Sequence, residues 1–138
     1  MKISTKGRYA LRLMIDVAIH QNEGYVALRD AAQRQGISVK YLEQIAGMLL
    51  SGRGPQGGYR LAKAPESYTV GSILRLTEGD LAPVACLAGE EKRCERSDAC
   101  ATLDFWTGLY AAVNAYVDRF TLADLVGSEL EKIQQSSQ

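Results

Sequence analysis

The sequence predicts a mainly α-helical protein with one small β hairpin and a long helix near its C-terminal end. Apolar residues recur at helical spacing in several segments, two short helical segments are joined by a glycine turn, and a glycine-rich loop is followed by an alternating stretch. The chain has 138 residues, of which 46% are hydrophobic. This length and composition fit one domain with a packed core.

The first helix is predicted over residues 8–20, where Leu13, Met14 and Val17 share one apolar face. Gly24 lies in a break after this helix, and residues 25–27 are predicted to be extended. His20, the only histidine, is expected to cap carbonyl groups at the end of the helix, which leaves little basis for histidine-dependent catalysis.

Two short helices follow, separated by Gly36. The first is predicted over residues 28–35, and the second begins after Ser38, a good N-cap residue. Its buried stripe consists of Leu42, Ile45, Ala46 and Leu49. Two short helices joined in this way are typical of a helix-turn-helix, here over residues 28–50, whose second helix enters the DNA major groove.

The glycine-rich loop after this unit is predicted to be the wing of a winged helix, over residues 51–62. Its Gly52-x-Gly54-x-x-Gly57 pattern matches a dinucleotide fingerprint, but no strand precedes it and no helix follows it, as that fingerprint requires. A further helix, capped by Thr69, is predicted over residues 70–78. Residues 1–78 are therefore expected to form a winged helix-turn-helix DNA-binding domain.

The rest of the chain is predicted to be a cysteine-bearing loop over residues 79–102 and a helical region over 103–138. The long helix at 103–119 carries an apolar stripe of Phe105, Leu109, Val113, Tyr116 and Val117. This stripe could pack on its own domain, but we expect it to pair across a two-fold axis in a homodimer, as palindromic operators require. Thr121 is expected to cap a last short helix before a fraying polar tail.

Charge is distributed unevenly along the chain. Residues 1–63 contain ten basic and four acidic side chains, and the remainder contains six basic and twelve acidic ones, so the total is zero. A basic first part favours a polyanion such as double-stranded DNA as partner. No apolar stretch is long enough to span a membrane and no signal peptide is recognisable, and with three clustered cysteines these features predict a cytosolic protein. The chain offers no nucleophile–base pair, so an enzyme is not expected.

Candidate DNA contacts follow from side-chain chemistry. In the major groove we expect Ser38, Lys40, Tyr41 and Gln44, with Gln44 reading adenine edges, although these could also be a plain solvated face. Glu43 cannot attract phosphate and is assigned to specificity, by accepting from a cytosine amine or by repelling unsuitable sequences. Arg53 from the wing is expected to reach a phosphate or the minor groove, and Lys6 and Arg8 are expected to contact phosphates.

The three cysteines are the candidate metal ligands. Seven residues separate Cys86 from Cys94, and five separate Cys94 from Cys100. Three thiolates from one loop suit a soft metal or an iron–sulfur cluster. This spacing alone is weakly specific, and zinc, a thiol redox switch or incidental cysteines stay open.

Several segments resemble the IscR/NsrR/CymR family of bacterial winged-helix transcriptional regulators, and most of all its IscR-like iron–sulfur members. The matching segments are Met1–Ala10, Gln35-Gly36-Ile37-Ser38, Tyr41-Leu42-Glu43-Gln44, Arg53-Gly54-Pro55, Gly57-Gly58-Tyr59 and Thr121-Leu122-x-Asp124-Leu125. The resemblance covers nearly the whole chain. It implies a homodimeric transcription factor whose recognition helix and wing bind an operator.

The resemblance also bears on the cysteines. It implies that Cys86, Cys94 and Cys100 hold an iron–sulfur cluster, for which we expect the [2Fe–2S] type, and that the target genes serve iron–sulfur cluster biogenesis. The family's ligand histidine is replaced by Leu103, so the fourth ligand is open between three nearby acids and a side chain of the other subunit. The three acids are Glu95, Asp98 and Asp104. NsrR-like members use an aspartate near the N-terminus, where this chain has Arg8.

CymR-like members provide the alternative, a regulator of cysteine metabolism that acts without a cluster, through a protein partner or thiol chemistry. A second departure from the family lies between Met48 and Arg53, where relatives carry several more residues. Either the wing is truncated or residues are missing from the chain, and we expect the second.

Overall fold

The computed structural model describes residues 2–50, 54, 57–89 and 98–137. Within these residues it is mainly helical. The α-helices are α1 (Thr5–His20), α2 (Leu28–Gln35), α3 (Val39–Leu49), α4 (Val70–Glu78), α5 (Leu103–Arg119) and α6 (Leu122–Ser136), and short 3-10 turns cover Gln21–Glu23, Pro65–Ser67 and Ala85–Leu87.

Helix α1 lies at the centre of the domain, and α2, α3, α4 and α6 pack around it. Its buried face matches the predicted apolar stripe. Fully buried side chains from four helices meet there: Leu13, Met14 and Val17 of α1, Leu42 and Ile45 of α3, Ile73 of α4 and Leu122 of α6. Burial of this apolar surface is the main force that holds the helices together.

Helix α1 begins one turn earlier than predicted, at Thr5 instead of Arg8. Ser4 is its N-cap, and the Ser4 side chain accepts a hydrogen bond from the Gly7 backbone N–H. The Ser4 backbone N–H and hydroxyl in turn donate to Glu78 at the end of α4. The first turn is thus fixed by polar contacts that apolar periodicity does not report. At the other end, His20 Nδ1 lies 2.9 Å from the Asp16 carbonyl oxygen, which confirms the predicted capping role.

The α2–turn–α3 unit has the predicted bounds. Gly36 ends α2 in the left-handed conformation with φ of 66°, which a residue with a Cβ adopts only at a cost. Ser38 then caps α3, because its side chain accepts from the Tyr41 backbone N–H. Helix α4 also has the predicted bounds and is capped by Thr69. Local capping chemistry therefore positions both helices of the unit.

The predicted wing is only partly among the described residues. Val26 and Tyr59 form an isolated antiparallel bridge, and each backbone N–H donates to the other's carbonyl oxygen at 2.8 Å. This bridge pairs the predicted extended segment 25–27 with the segment after the glycine loop. Residues 51–53 and 55–56 lie outside the description, so the wing stays a prediction. Our expectation that residues are missing between Met48 and Arg53 concerns the same part of the chain, so it also stays a prediction.

Helix α6 is longer than predicted. It runs for 15 residues, and the polar tail that was expected to fray is helical as far as Ser136. A capping box between Thr121 and Asp124 fixes its start, and Leu122 is fully buried. Ser136 and Ser137 also donate side-chain hydrogen bonds to carbonyl oxygens one turn earlier. The helix that the capping box starts therefore continues through the polar tail.

Helix α5 occupies the predicted range and packs on α4, yet none of its residues is buried. Within the described residues, no helix is both long enough and apolar enough to cross a membrane.

Candidate nucleic-acid interface

The first turns of α3 present a polar surface, which we call the reading face. It consists of Ser38, Lys40, Glu43 and Gln44, all of them exposed. The opposite side of α3 contributes Leu42 and Ile45 to the core. The reading face is therefore held outward by burial of the other side of the same helix. It carries a cation, a carboxylate, an amide and a hydroxyl, which together can pair with base edges and phosphates.

Tyr41 occupies a different position from the rest of the predicted contacts. It is half-buried, and its ring packs edge-on against the ring of Tyr9 on α1, with centroids 5.3 Å apart and planes at 79°. Such edge-to-face pairs contribute about 0.5–1.5 kcal/mol beyond their buried area. The start of α3 is thus anchored to α1 through this ring.

The Tyr9 ring is in turn covered by Arg12, whose guanidinium carbon lies 5.5 Å from the ring centroid. Arg12 also donates from Nε to Gln35 Oε1 at 3.2 Å and from Nη2 to the Gln35 carbonyl oxygen. The end of α2 and the start of α3 are therefore tied to two side chains of α1 that stack on each other.

Asp16 completes this network. Its carboxylate is 2% exposed and accepts from Arg34 at 2.7 and 3.0 Å and from Gln35 Nε2 at 3.0 Å. The hydrogen bond from Arg34 to Asp16 raises the pKa of the Arg34 guanidinium. A buried carboxylate is tolerated only when it is paired and hydrogen-bonded, so Asp16 fixes α2 in one position against α1.

The predicted phosphate contacts lie beside this network. Arg8 is exposed and Lys6 is half-buried, both on the first two turns of α1. Arg53 lies outside the described residues.

Two further cations were not singled out from the sequence. Arg29 and Glu43 line one open recess that Gly58 and Tyr59 also line, and Arg60 stacks over the Tyr25 ring at 5.0 Å. The only sequence signal for either arginine is its membership of the basic first part of the chain. The proximity of Arg29 to α3 depends on tertiary packing, which the sequence does not report.

The cysteines lie in the segment between α4 and α5. Cys86 is exposed in the 3-10 turn Ala85–Leu87, and Cys100 is half-buried shortly before α5. Both are free thiols, and Cys94 lies outside the described residues. A hydrogen bond between Cys100 Sγ and Thr102 Oγ1, at 3.2 Å, lowers the pKa of the Cys100 thiol. The thiolate is the form that ligates metals.

This donor set fits three positions of an iron–sulfur site, because thiolates are the ligands that such clusters prefer. The resemblance aligns Leu103, the first residue of α5, with the ligand histidine of IscR-like members, and a leucine cannot ligate iron. Asp104 in the same turn is close enough for its charge to oppose ionisation of Cys100. In the described part of the chain, no three potential ligands already converge as a metal site.

Helix α5 presents an apolar surface to solvent. Phe105 and Tyr116 are 66% and 60% exposed, and Leu109, Val113 and Val117 are half-buried. Beside this stripe is an open apolar recess of about 420 Å³, lined mainly by Ile3, Leu74, Leu81, Val113, Tyr116 and Val117. Large apolar surfaces of this kind mark interaction sites in soluble proteins.

Comparison with known proteins identifies the family. Residues 3–128 match the Rrf2 family, described as iron-dependent transcriptional regulators. The chain is 37% identical over 140 residues to the HTH-type transcriptional regulator IscR of Aliivibrio salmonicida, covering 96% of this chain and 82% of the relative. It is 41% identical over 132 residues to protein rrf2 of Nitratidesulfovibrio vulgaris, covering 91% and 87%.

Solved structures agree with this assignment. CymR of B. subtilis, named as the global cysteine regulator, matches with a TM-score of 0.72 at 35% identity, over 92% of this chain and 97% of that chain. IscR of T. potens matches with a TM-score of 0.69 at 36% identity, over 94% and 88%.

These relatives are transcriptional regulators, which confirms the winged-helix DNA-binding fold and the expectation that the chain is not an enzyme. The chain belongs to the Rrf2 family of transcriptional regulators.

Proposed function

We propose that this protein is a cytoplasmic, homodimeric regulator that binds a double-stranded operator and responds to an iron–sulfur cluster held by Cys86, Cys94 and Cys100. Its targets would be genes of iron–sulfur cluster biogenesis. The observation that carries the DNA-binding part is the exposed reading face of α3, on a helix anchored to α1 and α2. The cofactor part rests on the three cysteines and on the relatives named IscR.

In this proposal α3 lies in the major groove. Gln44 pairs with adenine, Lys40 with guanine or phosphate, and Ser38 with a phosphate oxygen. Glu43 selects for a cytosine amine or against other bases. Tyr41 is half-buried against Tyr9, so it sets the approach of α3 as well as offering its hydroxyl to phosphate.

Cationic side chains around the reading face would hold the DNA backbone. Arg8 and Lys6 from α1 and Arg53 from the wing are the proposed contacts, and their charge supplies affinity without sequence preference. The recess that Arg29 shares with Glu43 adds a fourth cation at the edge of α3.

Cys86, Cys94 and Cys100 would hold the cluster, and we favour the [2Fe–2S] type. When bound, such a cluster supplies a site sensitive to iron supply and oxidation. The proposed fourth ligand is one of three acids, Glu95, Asp98 or Asp104, or a side chain from the other subunit. The lowered pKa of the Cys100 thiol favours its ligating form.

The apolar stripe of α5 supports a homodimer. Phe105, Leu109, Val113, Tyr116 and Val117 would pack across a two-fold axis, which places two copies of α3 on successive major grooves. Because the cysteine segment joins α4 to α5, ordering of this segment by a bound cluster would favour one distance between the two α3 helices. The coupling free energy between cluster binding and DNA binding in such systems is typically about 1–3 kcal/mol.

The deciding experiment is an absorption spectrum of protein purified without oxygen, with iron and acid-labile sulfide assays. Visible sulfide-to-iron charge-transfer bands with matching iron and sulfide support the proposal. Replacing each cysteine by serine should then remove the bands. A colourless protein that cannot be reconstituted rejects the cofactor part and leaves the DNA-binding part to be tested by operator selection.

The second candidate is a CymR-like regulator of cysteine metabolism without a cluster, working through a thiol switch or a protein partner. It is favoured by the similarity to CymR and by the two free thiols, one of them with a lowered pKa. A reversible disulfide among the three cysteines, without iron, would select this candidate. Colourless metal binding would instead indicate a zinc-stabilised regulator.

A further inference from the structure

Helices α4 and α5 are joined by one arginine. Arg75 of α4 donates from Nη1 to Asp118 Oδ1 at 2.7 Å and from Nη2 to Asp118 Oδ2 at 2.9 Å. The same Nη2 donates to Asn114 Oδ1 at 2.8 Å. Asn114 and Asp118 lie one turn apart on α5, so the planar guanidinium fixes α5 at two points along its axis.

The two helices touch directly beside this arginine. Gly71, one turn before Arg75, has no room for a side chain, because an added Cβ would overlap the Asp118 carboxylate and lie 2.9 Å from Val117 Cγ2. The absence of a side chain at Gly71 allows Asp118 to reach the guanidinium. The close approach is thus built into the sequence of α4.

Backbone pairing holds the adjoining ends of the same helices. The Val70 N–H donates to the Phe120 carbonyl oxygen at 2.8 Å, and the Leu122 N–H donates to the Tyr68 carbonyl oxygen at 2.9 Å. We call this set of contacts, from residues 68–75 to residues 114–122, the joint. It fixes the start of α4 to the connection between α5 and α6.

The joint dominates the placement of α5. No residue of α5 is buried, and among α1 to α6 its packing is chiefly against α4. Helices α1, α3 and α4 share one core. The direction of α5 relative to the reading face therefore depends on contacts at the joint.

We propose that Arg75 is a positioning residue that sets the angle of α5 on the DNA-binding domain and thereby selects the separation of operator half-sites. This inference rests on the proposed function, since it requires a dimer formed through α5. Arg75 is distant in sequence from the reading face and reads no base in this role. Its bonds instead define how far apart, and at what rotation, the two α3 helices of a dimer stand.

The physical basis is the helical repeat of DNA. Each added base pair moves a half-site by about 3.4 Å along the axis and rotates it around the duplex. With a rigid joint, the dimer binds one half-site spacing best and binds spacings one base pair longer or shorter more weakly. With a loosened joint, the dimer binds several half-site spacings with similar affinity. Exposed ion pairs contribute about 0–1 kcal/mol to stability, so loss of this one should leave the protein folded.

The test uses the full-length dimer and an operator obtained by selection from random DNA. A series of duplexes keeps both selected half-sites and changes the central spacer by single base pairs. Affinity is measured by fluorescence anisotropy at constant salt for wild type, Arg75→Met, Arg75→Lys and Asp118→Asn. Lys132→Met, which removes an exposed cation of α6 away from the joint, is the matched control. Sedimentation confirms the dimer for each variant.

We expect wild type and Lys132→Met to prefer one spacing over its neighbours by roughly tenfold, and Arg75→Met to reduce this preference to about twofold. Arg75→Lys should be intermediate, because an ammonium cannot make the forked bonds. Asp118→Asn should relax the preference like Arg75→Met, which keeps the test decisive if the methionine variant does not fold. Half-site affinity should change little.

An unchanged spacing profile in dimeric Arg75→Met or Asp118→Asn would overturn the inference and leave the proposed function intact. A wild-type protein that is monomeric, or that selects no operator, would overturn the proposed function itself. The two failures are therefore distinguishable.

Discussion

Asp16 shows how a single buried charge organises the candidate interface. In the described residues it is the one charged side chain that is buried. Helical spacing places Asp16 on a different face of α1 from the apolar stripe, together with Arg8 and Arg12. The structure buries it instead, because Arg34 and Gln35 arrive from α2 to pair with it. Such a partner comes from another helix, so helical periodicity within α1 cannot reveal it.

Replacing Asp16 should therefore cost stability. Asp16→Asn removes the charge that Arg34 pairs with, and hydrogen bonds to charged groups contribute about 1.5–3 kcal/mol. We expect urea unfolding to show a loss of about 1–3 kcal/mol. Glu131→Gln, which changes an exposed carboxylate on α6, is the control and should stay within about 0.5 kcal/mol of wild type. Equal losses in both variants would show that burial of Asp16 is unimportant.

Substitution of Gln44 should distinguish recognition of bases from electrostatic attraction to the DNA backbone. Gln44→Ala removes a side chain suited to bidentate pairing with adenine, which discriminates bases by about 1–3 kcal/mol. We expect anisotropy titrations to show weaker binding to a selected operator and nearly unchanged binding to random duplex. Gln134→Ala on α6 is the matched control. Equal loss on both DNAs would contradict a role in base reading.

At the scale of elements, the sequence predicts a helix well where its signals are local. Helices α2, α3 and α4 have the predicted bounds because single residues set their ends. Gly36 ends α2, and the side chains of Ser38 and Thr69 cap α3 and α4. The start of α1 was misplaced for the opposite reason, because Ser4 is stabilised by Glu78 from a distant helix. The end of α6 was also misplaced, because the polar tail continues the helix that the Thr121–Asp124 capping box starts.

The Arg75–Asp118 pair predicts a pH dependence with a definite sign. The hydrogen bond from Arg75 lowers the pKa of Asp118 in the folded protein. Its stabilising contribution is therefore complete above the unfolded aspartate pKa of about 3.9 and is lost as the pH falls through the lower folded value. Both side chains are over one third exposed, so the contribution should be about 1 kcal/mol or less.

Urea unfolding of wild type and Asp118→Asn measures this dependence. The two proteins should differ near neutral pH and converge in acid, below the ordinary range of aspartate. A stability difference that persists unchanged into strong acid would contradict the assignment to this ion pair.

At the scale of the whole molecule, the sequence divides the chain into a DNA-reading part and an apolar helix without saying how the two are connected. The connection lies in the joint, where Arg75 and Asp118 meet although 43 positions separate them. No local pattern marks either residue as a partner of the other. By contrast, the apolar stripe of α5 was visible from spacing alone, because side-chain periodicity reports a face even when its partner is unknown.

The stripe should be needed for assembly. Tyr116→Glu places a charge on an exposed apolar face, and in a two-fold dimer each substitution occurs twice. We expect sedimentation to show a shift to monomers, with the far-ultraviolet circular dichroism of a folded chain. Ala111→Glu, an exposed position on the opposite side of α5, should stay dimeric. Dimers of unchanged affinity in Tyr116→Glu would place the interface elsewhere.

Helix α3 alternates buried and exposed positions in a way that separates folding from recognition. Leu42 and Ile45 are buried in the core. Three other residues of α3 are exposed to solvent: Lys40, Glu43 and Gln44. Substitutions at exposed helix positions usually change stability by less than about 0.5 kcal/mol. Duplicated copies of such a gene can therefore drift toward new binding sequences without passing through unfolded intermediates, and the same three positions are where a designed regulator would be reprogrammed.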